Sequence, residues 1–159
     1  MARIVFSSPG IDRRPVAESA GTPERTESPE LHVVGAHYLL DLWGIHESAL
    51  LDDTAALKTC LERAARRGGA KVLEATFRRF EPQGASGVVI LAESHIAIHT
   101  WPELSFAALD VFTCGRPDIG EAIARAVIDE LAPAEGSVRV VARSLPRDNR
   151  NPEGTGVGQ

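Results

Sequence analysis

Residues 91–103 read LAESHIAIHTWPE, and the alternation within them decides the fold. Taken as an extended chain, the segment sets Ile96 and Ile98 on one face and His95, Ala97, His99, Trp101 and Glu103 on the other. One face is apolar; the opposite one carries imidazoles, an indole and a carboxylate. Immediately upstream, residues 87–93 form a Val- and Ile-rich run with the composition of a buried strand. The next strand, residues 95–101, follows so closely that Glu93-Ser94 lies in or beside a tight connection, a place where backbone strain can be held.

Outward from this pair the periodicity gives the remaining elements. Downstream, residues 106–112 read as a strand ending at Thr113-Cys114-Gly115. Pro117-Asp118 with Glu121 opens a helix whose stripe is Ile119, Ile123, Ala126, Val127 and Leu131, stopped by Pro133, and residues 137–145 close with a strand. Upstream, residues 71–80 alternate and Pro82-Gln83-Gly84 turns the chain. Before them Asp53 or Thr54 caps a helix with Leu57, Leu61, Ala64 and Ala65 on one stripe, ended by Gly68-Gly69. Residues 31–43 set Tyr38, Leu40 and Leu42 against His37, Leu39, Asp41 and Trp43, again a strand with a mixed face. The order β-α-β-β-β-β-α-β predicts an α+β two-layer sandwich, a mainly antiparallel sheet with helices on one face.

Residues 1–30 hold Pro9, Pro15, Pro23 and Pro29 among Ser, Thr and charged residues, so they read as a disordered tail. Residues 31–146 read as the one domain and 147–159 as a flexible end. A chain of 159 residues with 43% apolar residues suffices for a single core. The net charge of -5 is spread over mixed signs, which argues against nucleic acid or an anionic membrane as partner. The apolar run near Met1 is too short for a signal segment and no stretch has the length of a membrane span, so a cytosolic protein is expected. In that compartment Cys60 and Cys114 are expected as free thiols.

The motifs narrow the chemistry. A Glu-Ser-His turn at residues 93–95 runs into a strand ending His-Thr-Trp-Pro-Glu; FxPxGxSG is found at residues 80–87, DVFTCG at 110–115, and His37 and Asp41 stand four apart. In this order and spacing the chain, over residues 32–145, resembles the prokaryotic S-adenosylmethionine decarboxylases, small autoprocessed enzymes that depend on a pyruvoyl group. The resemblance implies self-cleavage of a zymogen at Glu93-Ser94. Ser94 Oγ attacks the preceding carbonyl, and the ester formed is eliminated after a base takes the Ser94 α-proton. The residue left behind hydrolyses to a pyruvoyl group, which then holds substrate as a Schiff base. It further implies His99 as the processing base, Ser86 as its processing partner and Cys114 as proton donor in decarboxylation. Phe80 and Trp101 would face an adenine or a sulfonium, and Glu103 the ribose hydroxyls. A homodimer of cleaved protomers, two sheets meeting in four αββα layers, is implied as well, and the mixed face with its aromatic residues points the same way.

Departures from the family pattern bear on substrate choice: Arg78 where histidine is frequent, Ala85 where valine is, Leu104 and Ser105 where aromatic residues are, and Asp41 for glutamate. Relatives of this fold decarboxylate ornithine or arginine, which is the second reading. A metal site drawn from His37, His95, His99, Asp110 and Cys114 is a third, although their spacing fits no standard zinc pattern and no metal is expected. A fourth is a binding module that never cleaves. Taken singly the residues are ambiguous, since a strand histidine is often a core residue, a serine before glycine often a turn, and a lone cysteine often a small buried hydrophobe.

Overall fold

The structure, a computed structural model, describes residues 3–7, 31–92, 94–114 and 116–146. Seven strands form one sheet: β1 (Arg3–Ser7), β2 (Leu31–Trp43), β3 (Val72–Arg79), β4 (Ala85–Leu91), β5 (Ser94–Trp101), β6 (Phe106–Cys114) and β7 (Glu135–Pro146). Their spatial order is β1-β7-β2-β6-β5-β4-β3. Only the β1–β7 pair is parallel; the others are antiparallel. Helices α1 (Thr54–Arg67) and α2 (Pro117–Leu131) pack on one face, and the expected α+β two-layer architecture holds.

The helices begin and end where the chain chemistry requires. Asp53 Oδ1 accepts hydrogen bonds from the amides of Ala55 and Ala56 at 2.9 and 3.0 Å, so the cap of α1 is Asp53 rather than Thr54. Pro117 opens α2, where its missing N–H costs no helical bond. Against the sheet the two helices bury Leu57, Leu61, Ile123 and Val127 over Leu40, Leu42, Ile96, Ile98 and Val111, all at most 1% exposed. At about 1.5–3 kcal/mol for each such side chain, this layer is the main source of stability.

One expectation is corrected. The tail over residues 1–30 is interrupted by β1, whose residues pair with β7 from Arg3–Glu135 to Ser7–Arg139. Ser7 Oγ also donates to the Val138 carbonyl, 131 residues along the chain, and no local pattern announces a pairing that distant. Residues 8–30 and 147–159 lie outside the described residues. The strand through His99 ends at Trp101 as expected, and Pro102–Leu104 makes a 3-10 turn closed by Ser105 at φ 48°. Pro102 has no N–H for the ladder, which is reason enough for the stop. A second 3-10 turn, Ser48–Asp52, was not expected.

Candidate active site

The face of the sheet away from the helices carries Ser86, His95, His99, Trp101 and Cys114, while Ser94, paired with Thr113, falls at the start of its strand in the phase of the helix-covered residues. Along β5, Ile96, Ile98 and Thr100 are buried under the helices while Ala97, His99 and Trp101 look the other way, as the alternation predicts. On β6 the same phase puts Thr113 under the helices and leaves Cys114 exposed on the open face.

Seven of the eight predicted residues lie among the described ones, and they fall into two groups at opposite ends of the strands. At one end Ser94 opens β5 opposite Thr113, which places it one register step from Cys114. Glu93 lies outside the described residues. At the other end Ser86 stands opposite His99, and Ser86 Oγ meets His99 Nδ1 at 2.6 Å. Trp101 ends the same strand, 38% exposed, with its indole centroid 5.3 Å from the Phe106 ring. Glu103 follows in the 3-10 turn, where Gln83 Nε2 donates to its Oε2 at 3.0 Å. Phe80, 49% exposed, closes the adjacent turn, its amide donating to the Gly84 carbonyl at 2.8 Å.

The FxPxGxSG turn owes its sequence to close approach. Gly84 sits at φ +93°, and a Cβ there would lie 2.8 Å from the Thr100 carbonyl oxygen. Its amide donates to Asp52 Oδ1 at 2.8 Å. Arg79 hydrogen-bonds the same carboxyl and, with the Gly84 amide, holds it below the usual carboxylate range. Gly87 has the Phe77 ring where a Cβ would go, at 2.1 Å. Thr100, 6% exposed, donates from Oγ1 to the Leu51 carbonyl at 2.6 Å and accepts from the Ala85 amide at 2.8 Å. These contacts lock the backbone on both sides of Ser86.

Between the two groups lies a cluster whose members the sequence offered only as metal ligands. Asp110 Oδ2 receives His37 Nε2 at 3.1 Å and His95 Nε2 at 3.2 Å. His95 Nδ1 reaches Ser94 Oγ at 3.3 Å, and Arg143 Nη1 reaches His37 Nδ1 at 3.3 Å. Of the five residues weighed as metal ligands, His37, His95 and Asp110 converge, their ligand atoms within 4.8 Å of one another; His99 and Cys114 do not join them. Two ring nitrogens sharing one carboxylate oxygen at hydrogen-bond distance is an arrangement that protons account for. The available signal was His95 itself, next to Ser94, and Asp110, which opens DVFTCG.

The two thiols differ sharply. Cys60 is buried on α1, and burial pushes its thiol up to about 11. Cys114 is exposed beside the site.

Comparison with known proteins gives the family. A family model described as S-adenosylmethionine decarboxylase matches residues 36–144. An S-adenosylmethionine decarboxylase proenzyme of Synechococcus sp. (strain WH7803) is 46% identical over 114 residues, 72% of this chain and 88% of that protein. The proenzyme of Caldanaerobacter subterraneus subsp. tengcongensis is 41% identical over 119 residues, covering 75% and 84%. Among solved structures, the adenosylmethionine decarboxylase of Aquifex aeolicus superposes with a TM-score of 0.67 at 34% identity, over 73% of this chain and 95% of the other. A family model matched over residues 36–144, with relatives 41–46% identical over most of their length, means that the chain belongs to the S-adenosylmethionine decarboxylase family.

Proposed function

We propose that the chain is a proenzyme that cuts itself before Ser94, makes a pyruvoyl group from that serine, and decarboxylates S-adenosylmethionine to the aminopropyl donor for spermidine synthesis. The observation that carries the reading is the position of Ser94: first residue of a central strand, opposite Thr113 and next in register to Cys114. A group made from Ser94 would stand at the end of the strand, one register step from the exposed Cys114 thiol. Such a group would supply a ketone for condensation with an α-amine and a sink for the electron pair released as CO2 leaves. Cys114 Sγ delivers the proton to the carbon that lost CO2. Phe80 and Trp101 offer exposed ring faces to the adenine and sulfonium, and Glu103 accepts from the ribose hydroxyls.

During processing, His99 takes the Ser94 α-proton and Ser86, hydrogen-bonded to it, assists the acyl shift. These two stand on β5 and β4 well away from Ser94 of the same chain. Five residues of extended strand, at about 3.3 Å each, separate Ser94 from His99 by roughly 16 Å. A homodimer closed over the open faces supplies the missing half of each site. No described helix is long and apolar enough to cross a membrane; a cytosolic enzyme belongs to the same proposal.

The relatives compared here carry S-adenosylmethionine in their names, which favours it over ornithine or arginine. The test pairs two measurements on purified protein. Intact mass is expected to show fragments 1–93 and 94–159 for the wild type and one uncut chain for Ser94→Ala. Released CO2 is expected from S-adenosylmethionine and not from ornithine or arginine. Turnover of either amino acid in place of S-adenosylmethionine overturns the substrate, and an uncut wild type overturns the mechanism.

A further inference from the structure

Self-cleavage needs something to take the hydroxyl proton of Ser94 as the acyl shift begins. His99, the base for the later elimination, sits with Ser86 at the far end of the sheet within one protomer. The imidazole that touches the Ser94 hydroxyl is that of His95. We propose that His95 is a catalytic residue of the first processing step, the general base of the nitrogen-to-oxygen acyl shift, and that Asp110 and His37 are its positioning residues. The proposal rests on the self-cleavage reading and deepens it.

The hydrogen bonds determine which nitrogen is free. A carboxylate only accepts, so both rings that meet Asp110 Oδ2 present Nε2–H to it. In the neutral His95 ring Nδ1 is then left with its lone pair, directed at Ser94 Oγ 3.3 Å away. His37 is set the same way, its Nδ1 accepting from Arg143 Nη1 at 3.3 Å. Asp110 therefore fixes the tautomer of two rings at once. Ser94, His95 and Asp110 repeat the logic of a hydroxyl, an imidazole and an orienting carboxylate. The groups facing His95 are Ser94 and Asp110 with the rings of Phe112 and His37; Arg143 stands behind His37. All three members of the pair of hydrogen bonds are half-buried, with His37 20%, Asp110 31% and His95 35% exposed, so water competes with them only in part.

The step balances without a co-reactant. His95 Nδ1 takes the proton from Ser94 Oγ as the oxygen bonds to the carbonyl carbon preceding it, and the carbonyl electron pair moves onto its own oxygen. Collapse of that tetrahedral centre breaks the C–N bond, and the proton held by His95 passes to the departing Ser94 nitrogen. The product is an ester with a free amine, an isomer of the starting peptide.

The experiment follows cleavage of freshly purified full-length chain by intact mass, with and without hydroxylamine, which cuts esters and leaves amides. His95→Ala is expected to slow cleavage by about 10²–10³-fold, and to accumulate a chain that hydroxylamine does not cut. His99→Ala, blocked at the later step, is expected to accumulate a chain that hydroxylamine does cut. Added imidazole is expected to restore part of the rate to His95→Ala, which a purely structural defect would not allow. Asp110→Asn carries the test if His95→Ala does not fold: its amide N–H turns His95 to the other tautomer, and cleavage is expected to slow at least tenfold with the same hydroxylamine resistance. Cleavage of His95→Ala at the wild-type rate, or its arrest as a hydroxylamine-sensitive ester, overturns the role of His95 while leaving self-cleavage intact. A wild type that never cleaves removes both.

Discussion

At the scale of single residues, the site depends on groups that touch no substrate. Thr100 is one of them: its hydroxyl joins the Leu51 carbonyl to the Ala85 amide, and so ties the Ser48–Asp52 turn to the strand that presents Ser86. Valine has nearly the same shape without the hydroxyl, leaving a buried amide and a buried carbonyl with one partner fewer. Thr100→Val is therefore expected to lower stability by about 1–3 kcal/mol, read as a lower urea midpoint at unchanged slope. A midpoint equal to that of the wild type would mean that solvent reaches both groups. Gly84 and Gly87 act on the same turn by having no side chain. A motif such as FxPxGxSG is thus partly a description of backbone clearance, with Ser86 the one residue in it that faces His99 directly.

At the scale of elements, most of what the sheet does was legible in period-two patterns. Residues 31–43, 95–101 and 117–131 gave strands and a helix close to the observed bounds, because one face of each is buried and the apolar phase must follow it. β1 was not legible, since four of its five residues are exposed and its partner is distant. The 3-10 turns were not legible either, having no periodicity to betray them. Within the site, the motif spelling marked Ser94, His99 and Cys114, but nearness along the chain misled: Ser94 and His99, five apart, are held at different ends, while His37 and Asp110, 73 apart, share a hydrogen bond. The helices show a further pairing that no local pattern gives. Glu130 on α2 accepts from both Arg63 and Arg67 on α1, and Arg67 also meets Asp129 at 3.0 Å. The hydrogen bond from Arg63 holds the Glu130 carboxyl below the usual carboxylate range, partial burial opposes this, and Arg67 adds to it. A depressed carboxyl stabilises the fold fully above the ordinary glutamate range, near ~4.3, and loses that contribution as pH falls through the lowered value. Glu130→Gln is expected to cost about 1 kcal/mol at pH 7 after screening by solvent. Urea unfolding should show the gap between the two proteins closing as pH falls below the ordinary glutamate range and through the lowered value; a gap constant across that range would assign the loss to packing instead.

At the scale of the whole molecule, the layer opposite the helices is unlike an ordinary protein surface. Trp43, Ile90, Trp101 and Val141 are each 38–43% exposed there, close to Phe106 and Phe112. Apolar groups gathered on one face of a sheet suit burial against a second copy. A two-fold axis lying between two such sheets and across their strands reverses strand direction, so the Ser94 end of one copy meets the His99 end of the other if the axis passes near Ala97. Each processing site then takes its serine, His95 and Cys114 from one chain and Ser86, His99 and the adenine-facing residues from the other. The consequence is testable by mixing defects. Ser94→Ala and His99→Ala, expressed separately, are each expected to stay uncut beyond trace levels. Co-expressed with different affinity tags and isolated as mixed dimers, they restore one complete site, in which His99 of the Ser94→Ala chain serves Ser94 of the His99→Ala chain. Mass analysis of the mixed dimers should then show fragments from the His99→Ala chain alone, with the Ser94→Ala chain still whole. If both chains remain uncut although the mixed dimers form, serine and base act within one protomer, and the roughly 16 Å between them along β5 has to be closed by a rearrangement of the strand itself.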